Sequence, residues 1–135
     1  MKNYAAQTFL IVALLTGTFC KATAQDMIVR EPLLTASPIH KMVNRAELKE
    51  ITFKPLMKTG RHLHPCPVVG YIVSGTALVQ EKGGQLQRIT AGQAFYEPAN
   101  KVMVRFDNAS ASEPLRFVCC YLINNEKEII KHLKG

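Results

Sequence analysis

The sequence predicts an all-β fold, one small domain built of short strands. Three observations predict it. From Val68 onward, short runs rich in valine, isoleucine and aromatic residues alternate with turn signals at Ser74-Gly75, Gly83-Gly84 and Ala91-Gly92, the pattern of a sandwich or barrel. LRFVCCYLI, Leu115 to Ile123, is the strongest continuous β signal in the chain and is expected to cross the core. The length of 135 residues suits a single domain, and no repeat, low-complexity segment or linker divides it.

In chain order, residues 1–24 read as a signal peptide. Met1-Lys2 starts positive, Phe9 to Leu15 is apolar, and Ala22-Thr23-Ala24 has the small-x-small form of a signal peptidase site. The apolar run is too short for a permanent membrane helix, so no transmembrane anchor is expected after cleavage. Cys20 could suggest a lipid anchor, but bulky Phe19 precedes it where a small residue is needed. Export to the periplasm or the medium is expected. Cleavage removes Lys2 and Lys21 and no acid, so the net charge falls from +7 to +5. The remaining basic residues are scattered, without an aromatic-basic run, so a solvated surface is expected and a nucleic-acid partner is not.

Residues 25–45 form a lead-in arm with Pro32 and Pro38. The barrel is expected over 46–123. Lys41 to Lys54 alternates Ala46, Leu48, Glu50 and Thr52 against Glu47, Lys49, Ile51 and Phe53, the period of a half-buried strand. Strands follow at Val68 to Val73, Thr76 to Lys82, Leu86 to Thr90, Ala94 to Pro98 and Val102 to Phe106. Gly83-Gly84 tolerates the positive φ that a tight hairpin demands. In the tail, 124–135, Asn124 or Asn125 can cap a short helix that gathers Ile129, Ile130 and Leu133 on one face. A short C-terminal helix is therefore expected.

The chemistry concentrates in Gly60 to Gly75, GRHLHPCPVVGYIVSG. His62 and His64 lie two apart, so in a strand both imidazoles project from one face. Two convergent imidazoles begin a divalent-metal site.

Around this pair the chain resembles the cupin superfamily, small barrels of jelly-roll type. The resemblance runs from about Thr52 to Ile123. It rests on HxHPxP and GYIVSG in the first motif, with Gly75 as the closing glycine, and on AGQAFYEPANKVM in the second, where Gly92 and Pro98 match. Four positions depart from the motifs: Val68 replaces a glutamate, Asn100 a glycine, Met103 a histidine and Asp107 an asparagine, with Asn108 beside it. The resemblance implies a single-domain cupin barrel with an incomplete metal motif. Two of the usual four ligands are absent.

The expected metal ligands are His62, His64 and Glu97, the last either a ligand, a general base or a rim glutamate. Met103, Tyr71 and Cys66 are expected to line the pocket, Met103 facing the two histidines. Adjacent Cys119 and Cys120 point to opposite faces, so Cys66 could bridge the inner one or all three could remain thiols. The reading is an exported small cupin that binds a divalent metal (Fe, Zn, Ni or Mn, weakly held) and/or a small molecule inside the barrel. The alternative is a metal-dependent enzyme, dioxygenase- or isomerase-like, using His62, His64 and Glu97. No nucleotide cofactor is expected. A homodimer is expected from the family.

Overall fold

The computed structural model describes residues 29–37 and 42–134. The expected signal peptide and part of the arm lie outside them. The chain divides at Arg30–Glu31, and the architecture below is that of the second unit. Nine strands compose it: β1 (Arg45–Phe53), β2 (His62–Leu63), β3 (Val68–Ser74), β4 (Thr76–Glu81), β5 (Gln87–Thr90), β6 (Ala94–Glu97), β7 (Val102–Asn108), β8 (Leu115–Ile123) and β9 (Lys131–His132). They form two antiparallel sheets with the orders β1-β8-β3-β6 and β5-β4-β7-β2-β9.

The two-residue period decides which side chains enter. Along β8, Leu115, Phe117, Cys119, Tyr121 and Ile123 are buried while Arg116 between them is exposed. Along β3, Val68 and Ile72 go in while Tyr71 and Val73 go out. Burial of each large apolar side chain contributes roughly 1.5–3 kcal/mol. At the centre, Phe106 meets Phe117 at 4.9 Å between ring centroids and Phe95 at 5.2 Å. The first pair is tilted and the second edge-to-face, and such contacts add about 0.5–1.5 kcal/mol per pair.

Gly75 lets the chain leave one sheet for the other. Its φ is +85°, and a Cβ there would stand 2.9 Å from the Pro114 carbonyl oxygen, so a side chain fails on both conformation and space. Buried Asn108 ties the far end of the barrel. Its amide donates to the carbonyls of Phe53, Lys54 and Glu113 at 3.4, 3.1 and 2.8 Å.

The tail departs from expectation. Among the described residues it contains no helix; it forms β9, which pairs His132 with His62 and Lys131 with Leu63. Leu133 N–H also donates to the Arg61 carbonyl at 2.9 Å. The open edge of β2 offers unpaired backbone groups, and a tail this short gains little from a helix of its own. Docking on the edge instead packs Ile129 against the core.

Candidate metal centre

Three buried side chains meet at one end of the barrel: His62, His64 and Glu97, with 2%, 6% and 3% of their surface exposed. Pro65 and Pro67 end the strand pairing directly after the histidines. Asn100 N–H holds the His64 carbonyl at 2.7 Å. Asn100 itself sits at φ +61°, a conformation glycine adopts most readily; asparagine is among the few other residues that adopt it. Glu97 ends β6 directly opposite Val68 on β3. The carboxylate missing at Val68 is thus supplied in the same row, one strand over.

The imidazole tautomers follow from their partners. His62 Nδ1 faces the Gly60 carbonyl at 2.9 Å, and His64 Nδ1 faces the Ile129 carbonyl at 2.5 Å. A carbonyl oxygen only accepts, so each Nδ1 carries the proton and each neutral ring turns a lone pair on Nε2 inward. Both Nε2 atoms approach Glu97 Oε2, at 3.7 and 3.1 Å. That oxygen is buried and has no hydrogen-bond donor while both rings carry their proton on Nδ1 alone.

Three electron pairs turned on one small space demand a cation. In the metal-free protein a proton serves. Burial alone would lower the His62 pKa, but the hydrogen bond and charge of Glu97, with the Gly60 carbonyl, outweigh it and raise the pKa. Burial alone would raise Glu97, and the two histidines overcome it and hold the carboxyl below its usual range. A divalent metal fits the same space: two imidazole nitrogens and one carboxylate oxygen lie within 4.8 Å of one another, a donor set suited to iron, zinc, nickel or manganese.

Beside this group lies a cavity of about 420 Å³. Its walls include Lys49, Ile51 and Phe53 of edge strand β1, Tyr121 and Cys119 of β8, and Ile129, Ile130 and His132 of the tail. Tyr121 packs its ring 5.7 Å from that of His64. The residues expected in the pocket divide. Met103 is buried directly across from His62, in the row His132–His62–Met103, but is not among the cavity-lining residues. Cys66 is fully buried in the core and is not among the cavity-lining residues. Tyr71 is a correction: it is 39% exposed on the outer face of its sheet, because Gly70, one residue earlier, takes the inward parity. Cys66, Cys119 and Cys120 form no disulfide.

Tyr121, Cys119, Lys49 and His132 were not expected at the site. In LRFVCCYLI both faces read as apolar, so no alternation marks the inner one. Met103→His puts an imidazole beside His62, and zinc affinity is expected to rise at least about tenfold. Chelator-competition titration of wild type and variant at equal pH measures it, and an unchanged affinity in a folded variant would show that Met103 does not face the ion.

The family comparison decides the identity. The cupin domain matches residues 49–121, more than half of the chain. The chain belongs to the cupin family. Solved cupin-fold relatives share its architecture. A DMSP lyase from Ruegeria pomeroyi DSS-3 is 13% identical over 64% of this chain and 42% of its own, with a TM-score of 0.56. A cupin-like protein from Thermotoga maritima msb8 is 20% identical over 65% and 64%, with a TM-score of 0.56. The polyketide cyclase of Streptomyces resistomycificus is 17% identical over 67% and 62%, with a TM-score of 0.54. At such identities the likeness shows the fold alone, and the chain spans under half the length of the DMSP lyase. None of the curated proteins matches the sequence.

Proposed function

We propose that this cupin holds a divalent metal on His62, His64 and Glu97 and binds a small molecule in the adjoining cavity. The observation that carries the reading is Glu97 Oε2, buried without a donor and faced by two imidazole nitrogens. A metal there would supply Lewis acidity toward a molecule in the cavity. A second reading, a metal-dependent enzyme of dioxygenase or isomerase type, draws support from the cavity that opens beside the same donor set. In it Tyr121 lines the cavity with a hydroxyl that stays protonated, since burial and then the neighbouring Cys119 push its pKa up, so it would orient a ligand as a hydrogen-bond donor rather than transfer a proton. Burial, then the charge of Glu97, pushes the Cys119 thiol up to about 12, so thiolate chemistry is not part of either reading.

The test is stability against pH, with and without zinc. His62 has a raised pKa, so its contribution is full below its ordinary 6.5 and is lost as pH rises through the raised value. Glu97 has a lowered pKa, so its contribution is present above its ordinary 4.5 and is lost as pH falls through the lowered value. Metal-free protein is therefore expected to be most stable between these limits and to weaken toward pH 8. Zinc competes with the proton on His62, so saturating zinc should reverse that slope. At a hundred times Kd it should add about 2.7 kcal/mol. Parallel slopes with and without zinc would sink the metal reading.

Export is part of the proposal, supported by the composition of residues 1–24. Intact-mass measurement of secreted material should find Gln25 first, as glutamine or as the pyroglutamate formed from it by loss of ammonia. Material that retains Cys20 with a lipid attached would overturn it.

A further inference from the structure

We infer that the cavity takes an amphipathic monoanion, a carboxylate on an apolar body of about the size of a phenylpropyl group, with its charged head at the Lys49 end. The inference rests on the cavity proposed above as the ligand site, and its charge argument needs neither a proton nor a metal among the histidines.

The lining is polarised along β1. Lys49, Ile51 and Phe53 share the inner parity and lie in that order along the wall. Lys49 sits opposite Cys119, one row from the Tyr121–Val68–Glu97 row, with its Nζ 5.9 Å above the Tyr121 ring. At the far end Phe53 meets Phe117 at 5.2 Å and Phe106 at 6.0 Å. The Lys49 end borders the buried Glu97 and its histidines, and the other end is aromatic, with exposed Lys58 at its rim beside Phe106.

The charges select the sign. Glu97 is the one acid among the described residues that line the cavity, against Lys49 and Lys58. Two lysines against one carboxylate leave the lining net positive whatever the histidines hold. Lys49 Nζ also lies 3.4 Å from Glu47 Oε2 with both side chains partly exposed. Such a pair contributes about 0.2–1 kcal/mol, too little to withhold the lysine from a ligand.

Size and lining select the rest. About 420 Å³ is room for a drug-sized small molecule. A compact dianion such as oxalate would leave the aromatic end unfilled and forgo its apolar burial. An ammonium head would meet Lys49. A neutral amide would forgo the charge-assisted bond.

The test is calorimetric titration of 3-phenylpropanoate, its amide, 3-phenylpropylamine and oxalate into metal-free and zinc-loaded protein. Phenylpropanoate should bind at least about tenfold more tightly than each of the others, and Lys49→Gln should cut that preference at least about fivefold. Zinc affinity of Lys49→Gln should stay within about twofold of wild type, because Lys49 donates nothing to the metal. Equal or tighter binding of the amide, the amine or oxalate would overturn the inference. So would an unaffected Lys49→Gln, or no binding of phenylpropanoate. The two readings fail separately: protein that keeps the carboxylate preference but binds no zinc loses the metal and keeps this ligand class, and the converse loses this ligand class alone.

Discussion

Glu97→Gln should cost the protein at least about a hundredfold in zinc or iron(II) affinity, some 2.8 kcal/mol, and should leave it folded but, without metal, less stable between pH 4.5 and 6.5. The substitution keeps shape and removes charge. A carboxylate among two imidazoles supplies the anionic donor that a divalent ion needs, and an amide oxygen is a far poorer one. In the metal-free protein the exchange also removes the partner of the His62 proton. The lowered Glu97 pKa and the raised His62 pKa mean that the charged pair stabilises the fold between pH 4.5 and 6.5. Chelator-competition titration gives the affinity, and melts in EDTA between those limits give the stability. Wild-type affinity in Glu97→Gln would remove Glu97 from the ligand set. Unchanged metal-free stability would show that Glu97 does not hold the His62 proton.

Strand order along the chain was legible because turn residues punctuate it: the runs before Gly75, Gly83 and Gly92 end within a residue or two of the observed strands. The shared face of His62 and His64 was legible from spacing alone. What spans strands was not. Nothing local shows that Glu97 stands opposite Val68, since that pairing is set by the register of β3 against β6. The Tyr71 expectation failed on parity: the run VVGYIVS is apolar at both parities, and only packing puts Gly70 inside and Tyr71 out. The tail was read by its helical spacing, but the deciding partner was the edge of β2, a contact about seventy residues away in sequence. That contact brings the Ile129 carbonyl to His64 and His132 to the cavity wall, neither of which a local pattern reveals.

The strongest coupling between fold and site runs through Gly70, and Gly70→Ala should destabilise the protein by about 2–3 kcal/mol. The glycine is needed for space, not for its backbone freedom. It lies across from Phe95 on β6, whose ring covers it so closely that an added Cβ would stand 2.1 Å from Cζ and 2.4 Å from Cε1. The ring cannot swing aside at little cost, because it is 4% exposed and meets Phe106 at 5.2 Å and Phe117 at 6.2 Å. The methyl group must therefore push β6 away or displace the aromatic cluster. Glu97 lies two residues beyond Phe95 on that strand, with the same inward parity, so either response moves the carboxylate from the histidines. Zinc affinity should fall about tenfold along with stability. Denaturant melts and the zinc titration read the two effects together. Phe95→Leu, which shortens the obstructing side chain, should recover part of both losses in the double variant, with a coupling of about 1 kcal/mol or more. A Gly70→Ala protein with wild-type stability would show that the Phe95 ring does not seal the barrel at that point.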